Sequence, residues 1–98
     1  MTIDDKVQVF KALAHPVRLR LVEKLAKGEQ CVCVCLEMFD IDISTLSRHL
    51  SVLKNAGIVA DEKRGKNVYY RLTCPCILQV CDCLEKVAGK RKKPGIPV

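Results

Sequence analysis

Apolar positions recur along this chain with two different periods. From Ser44 to Asn55, Leu46, Leu50 and Leu53 fall on one stripe of a helix, while Ser44, Ser47, Arg48, Ser51 and Asn55 gather on the other side. That face carries short hydroxyls and a guanidinium where a solvated helix ordinarily scatters Lys and Glu. The same period in Ile3, Val7, Phe10, Leu13 and Ala14 predicts a first helix over Ile3 to Leu13, opened by Thr2 and Asp5 as an acidic capping box. Val17, Leu21, Val22, Leu25 and Ala26 predict a second over Pro16 to Lys27, started by Pro16 and stopped at Gly28. His15 stands at this boundary as a turn or cap residue. A short third helix is expected from Cys31 to Phe39, on the stripe Val32, Leu36 and Phe39, with Asp42 placed to cap the Ser44 helix. After Ala56-Gly57 the period falls to two. Residues 58–62 and 67–72, with Val68, Tyr70 and Leu72 alternating, predict a hairpin with Lys63, Arg64, Gly65 and Lys66 at its tip. The helical period returns behind Thr73-Cys74-Pro75 in Ile77, Val80, Cys81, Leu84, Val87 and Ala88. A terminal helix this apolar needs a cover, and a two-fold partner helix supplies one economically.

The order of elements predicts a mainly α fold with a β-hairpin: a winged helix-turn-helix with five helices and a two-stranded wing, dimeric through its terminal helices. Residues 1–89 form one small domain, and residues 90–98, basic and then rich in Pro and Gly, are expected to be a disordered tail. With 17 Lys and Arg against 11 Asp and Glu, the net charge of +6 suits a polyanion. Double-stranded DNA is the partner that fits the polar-faced helix. Ser44, Thr45, Ser47 and Arg48 are the candidate direct contacts. His49 lies on the flank as a scaffold or phosphate contact, Lys54 follows on the same helix, and Lys63, Arg64 and Lys66 reach flanking phosphates or the minor groove from the wing. No apolar run approaches the roughly 20 residues of a membrane span, and MTIDDKV lacks the regions of a signal peptide, so a cytoplasmic protein with no membrane partner is expected.

The seven cysteines form two clusters, Cys31, Cys33, Cys35 and Cys74, Cys76, Cys81, Cys83. An odd count in a cytoplasmic chain points to metal binding, redox sensing or packing rather than a disulfide framework. Two histidines at a helix boundary and on the polar-faced helix give no cleft for a small organic substrate, which argues against an enzyme.

The run Glu29-Gln30-Cys31-Val32-Cys33, the segments Ser44–Leu50, Leu53–Gly57 and Arg64–Leu72, and the opening Ala12-Leu13-Ala14-His15-Pro16-Val17-Arg18-Leu19 together resemble the ArsR/SmtB family. The resemblance spans roughly Val7 to Leu72. It implies a dimeric winged-helix repressor that leaves its operator when an inducer, often a soft metal or metalloid ion, binds. Cys31 and Cys33 match the Cys-Val-Cys of arsenite-, antimonite-, cadmium- and lead-responsive members. The third cysteine of the arsenite pattern is displaced, since Leu36 occupies its place and Cys35 stands one residue earlier. Where relatives often carry Gln, just before the Ser44 stretch, this chain has Ile43. The zinc pattern with Asp and His on the last helix is absent, because neither His lies there.

Three thiolates at Cys31, Cys33 and Cys35 suit As(III) or Sb(III), whereas four suit Cd(II), Pb(II) or Zn(II). On a regular helix Cys33 points roughly 200° from Cys31. An ion gathering all three is therefore expected to unwind the first turn of the third helix into extended backbone, loosening the DNA-reading helix behind it. Cys74, Cys76, Cys81 and Cys83 form the second candidate set, alone or with Cys31 or Cys33 of either protomer. On helical spacing Cys76 and Cys83 share one face and Cys74 and Cys81 another. Thiol-based redox or persulfide sensing on the same fold is the rival reading.

Overall fold

The computed structural model describes residues 2–90. Its elements are α1 (Ile3–Leu13), α2 (Pro16–Ala26), β1 (Gln30–Cys31), α3 (Val32–Glu37), α4 (Ile43–Asn55), β2 (Val59–Arg64), β3 (Asn67–Leu72) and α5 (Ile77–Lys90). Of the expected disordered tail at residues 90–98, Lys90 is the last residue of α5 and residues 91–98 lie outside the described residues.

Helices α1 to α4 each start where a side chain satisfies a free N–H of the first turn. Thr2 and Asp5 form the reciprocal capping box of α1, with both bonds at 3.1 Å. His15 caps α2, its Nδ1 accepting from the Val17 N–H at 3.1 Å. Asp42 caps α4, and this places Ile43, not Ser44, in the first helical position.

The hairpin is tighter than its sequence suggests. β2 runs through Arg64, which pairs with Asn67, so only Gly65 and Lys66 turn the chain, and Gly65 adopts φ 61° as such a two-residue turn requires. Lys63 and Arg64 are therefore strand residues. The wing also has three strands instead of two, in the order β1-β3-β2, because Gln30 and Cys31 pair with Tyr70 and Tyr69. A two-residue strand is too short to show an alternation. The third helix is correspondingly shorter than expected. Cys31 is its extended N-cap (φ -69°, ψ 147°) and Met38 its C-cap.

The core lies between α2, α4 and the base of the sheet. Leu21, Val22 and Leu25 of α2 meet Leu46, Leu50 and Leu53 of α4, closed by Cys35, Ile58, Val59 and Leu72. Each fully buried leucine stabilises the fold by about 1.5–3 kcal/mol through removal of apolar surface from water. The first helix buries Ala12 and Leu13 in this core, with Val9 packed partly against it, while Ile3 and Phe10 remain 71% and 56% exposed. On α5, Val80, Leu84 and Val87 are exposed in the same way. Among the described residues no helix is long and apolar enough to cross a membrane.

Candidate nucleic-acid interface and thiol site

The polar face of α4 begins at a cap. Asp42 Oδ1 accepts from the Thr45 N–H at 2.7 Å, and hydrogen bonding to Thr45 holds the Asp42 carboxyl below its ordinary range. Ser44, Ser47 and Arg48 are exposed along this face, whereas Thr45 is half-buried. His49 faces the scaffold. Arg18 Nη1 donates to its Nδ1 at 3.3 Å, and its ring lies 4.4 Å from that of His15. Arg18 is itself fixed by the Ala12 carbonyl at 2.6 Å. Burial first, then the neighbouring His15 and Arg18, pushes the His49 pKa below its ordinary value. His49 thus joins α4 to the α1–α2 corner as a neutral acceptor.

The basic residues divide into tied and untied. Lys54 pairs with Asp61 at 3.0 Å, bracing α4 against β2, and this pairing raises its pKa. Arg64 binds both carboxylate oxygens of Glu29 at 2.6 and 2.9 Å, reaches Glu62 at 2.6 Å, and lies 4.8 Å over the Tyr69 ring. Among the described residues Lys63 and Lys66 carry no ion pair, and both are exposed. Sequence reasoning missed Glu29 as the anchor of Arg64 and Arg18 as the anchor of His49. No local signal announces either, since the partners stand 35 and 31 residues apart.

The first cysteine cluster splits. The Cys33 thiol donates to Cys31 Sγ at 2.6 Å, and the Cys33 N–H points at the same sulfur from 3.4 Å. The two sulfurs meet without unwinding α3. Cys31 stands outside the helix as its N-cap, so the helical angle between the two positions does not apply. The hydrogen bond from Cys33 lowers the Cys31 pKa and, reciprocally, raises that of Cys33. The thiolate is the form that ligates soft ions, and the two sulfurs share one proton-bearing contact. Cys35 is 0% exposed, packed in the core, and burial pushes its thiol up. The structure brings together Cys31 and Cys33 but not Cys35, and among the described residues no three His, Cys, Asp or Glu side chains are grouped to hold a metal ion.

The second cluster divides further. Cys74 and Cys76 are disulfide-paired across Pro75, with Cα atoms 5.4 Å apart, where free thiols were expected. Both precede α5, so the helical spacing that aligned them with Cys81 and Cys83 does not reach them. Cys81 is half-buried towards Leu19 and Glu23 of α2, and burial, then Glu23, raises its pKa. Cys83 is exposed.

Comparison with known proteins places this geometry. The sequence pattern of the bacterial regulatory proteins of the arsR family matches residues 15–61. The chain is 43% identical over 68 residues to an arsenical resistance operon repressor of Escherichia coli, covering 68% of this chain and 58% of the relative. It is 42% identical over 69 residues to a cadmium resistance transcriptional regulatory protein homolog of Staphylococcus aureus, covering 69% of this chain and 57% of that protein. The chain thus spans somewhat under three fifths of the length of these two relatives. The solution structure of a homodimeric winged helix-turn-helix DNA-binding domain from Mycobacterium bovis, described as a possible ArsR-family regulator, superposes with a TM-score of 0.78 at 30% identity, over 90% of this chain and 82% of that one. With the α3–α4 pair, the three-stranded wing and these matches together, the chain belongs to the ArsR family, whose members are DNA-binding transcriptional regulators and not enzymes.

Proposed function

We propose that this protein is a cytoplasmic transcriptional repressor that binds operator DNA as a homodimer and is released when trivalent arsenic or antimony bridges the thiolates of Cys31 and Cys33, controlling an arsenical-resistance operon. The observation that carries the reading is the sulfur pair at the start of α3, 2.6 Å apart and one helix ahead of the DNA-reading helix α4. Cys31 also pairs with Tyr69 of β3, so the same residue touches the wing. An ion held there bears on both DNA-contacting elements. Release requires only that the ion bind the DNA-incompetent state more tightly than the DNA-bound one. In this reading Ser44, Thr45, Ser47 and Arg48 enter the major groove, and Lys63 and Lys66 reach phosphates, joined by Lys54 and Arg64 when their carboxylate partners yield to DNA. The exposed Ile3 and Phe10 of α1 and Val80, Leu84 and Val87 of α5 face the second protomer, as homodimerisation of the Mycobacterium bovis relative supports.

A redox reading is favoured by one observation, the closeness of the cysteine pairs Cys31–Cys33 and Cys74–Cys76. Cd(II), Pb(II) or Zn(II) would need further ligands, which Cys81 or Cys83 of either protomer would supply. Operator affinity by fluorescence anisotropy under reducing conditions separates these readings. Arsenite is expected to weaken binding by the parent but not by Cys31→Ser or Cys33→Ser. A parent that responds only to oxidant, or only to cadmium, excludes the arsenical reading.

A further inference from the structure

Helix α4 carries two large apolar side chains that the core does not use, Ile43 at 48% and Val52 at 38% exposed. Val52, towards the end of the helix, lines a groove with Gln8, Lys11 and Arg18 of α1 and α2. Ile43 stands at the opposite end, in the first helical position behind the Asp42 cap. It borders the groove that Cys31, Cys33 and Val68 also line, beside Lys66 of the wing and Ser47 one turn further along α4. Its branched Cβ restricts χ1 in a helix, and the bond from the Thr45 N–H to Asp42 fixes the turn that carries it. The apolar group is thus held in place before any partner arrives.

The surroundings of Ile43 select what can cover it. Ser44, Ser47 and Arg48 are exposed beside it, and Lys66 is exposed and carries no ion pair among the described residues. That set suits a polyanion, not an apolar protein surface. The first residues of a helix seated in the major groove meet base edges. Those edges display hydrogen-bond donors and acceptors and a single apolar substituent, the C5-methyl group of thymine. An aliphatic side chain offers no hydrogen bond, so against a donor or acceptor it would leave that group dry and unpaired. We infer that Ile43 is a specificity-determining residue that reads a thymine in each operator half-site by packing on its C5-methyl group. The inference rests on the operator-binding reading above and adds to it the base met by the first residue of α4.

The test uses the full chain, reduced and with no metal or arsenical added, on an operator selected from random duplexes. Each thymine of one half-site is replaced in turn by deoxyuridine, which removes the methyl and leaves the base-pairing edge intact. Anisotropy at fixed salt measures each affinity. At one thymine the exchange is expected to weaken the parent roughly fourfold, the loss of one buried methyl group. Ile43→Ala is expected to bind the two duplexes equally at that position. Each ratio is taken within one protein, so a general loss of stability or of DNA affinity in the variant cancels. Ile43→Val, one methylene shorter, is expected to fall between the two and serves where the Ala variant binds too weakly to titrate. Indifference of the parent to deoxyuridine at every position overturns the inference, as does a selected half-site free of thymine. A loss that persists unchanged in the Ile43 variants at every sensitive thymine overturns it too, because another side chain, Thr45 foremost, then meets the methyl. Operator binding stands in all three cases. Failure of the selection to enrich any duplex removes the repressor reading and this inference with it.

Discussion

Replacing Asp42 tests whether the cap of α4 prepares the proposed DNA-reading face. Asp42 Oδ1 holds the Thr45 N–H at 2.7 Å, and the first turn it closes carries Ile43, Ser44 and Thr45. Removing such a cap costs about 1 kcal/mol, whereas Asn caps about as well as Asp. Both Asp42→Ala and Asp42→Asn delete one negative charge near the duplex, so electrostatic repulsion is relieved equally in the two. Their difference isolates the cap. If DNA binding needs the first turn formed, about 1 kcal/mol of added ordering makes the Ala variant about fivefold weaker than the Asn variant. Anisotropy on an operator selected from random duplexes, at fixed salt, measures this ratio. Amide exchange supplies the structural control, with the Thr45 N–H expected to exchange faster in Ala than in Asn. The Asp42 pKa is lowered from 3.8 in the folded state, so the carboxylate's contribution is complete above that value and is lost only as pH falls below it. Assays at neutral pH therefore see the full cap. Equal affinities for the two variants, together with faster exchange in Ala, would refute the idea that a preformed first turn matters for DNA binding.

Glu29→Gln weakens the hold on Arg64, and it is expected to raise DNA affinity two- to threefold at low salt and to steepen the salt dependence by about one released counterion. No change in the salt slope would mean that Arg64 stays off the DNA. The pH dependence of stability should carry the signature of His49, whose folded pKa lies below its ordinary 6.5. The unfolded chain then binds more protons in the window below 6.5, so stability falls as pH drops through it. Thermal melts at pH 7.5 and 5.5 should show that fall in the parent, and a smaller one in His49→Gln. Leu53→Ala, at a core position with 0% exposure, should cost about 2–5 kcal/mol and lower Tm by at least about 8 °C, read by calorimetry.

Much of the architecture that carries the candidate interface was legible in the chain because helix, cap and hairpin signals are local. The Leu46, Leu50, Leu53 stripe, the Asp42 cap and the alternation from Val68 to Leu72 each depend on residues within one or two turns or a few strand positions. Periodicity therefore identified α4 and the wing, and put Ser44, Ser47 and Arg48 on an exposed face. The same reasoning misjudged the cysteines, because it placed Cys31 on a helix that begins one residue later and placed Cys74 and Cys76 on one that begins at Ile77. A shift of one residue at a helix end redirects a side chain altogether, and helix ends are where local signals are weakest.

The amino-acid sequence by itself determined the order of helices and strands, the polar face of α4 and the concentration of thiols ahead of it, since backbone hydrogen bonding and amphipathic period act between near neighbours. Tertiary structure alone decided that Cys31 and Cys33 share a groove with Ile43 and Val68 while Cys35 turns into the core, that Arg64 is held by Glu29, and that His49 answers to Arg18. Those relations join residues whose separation along the chain carries no signal. Burying the leucines of α2 and α4 against the sheet is what brings them within reach.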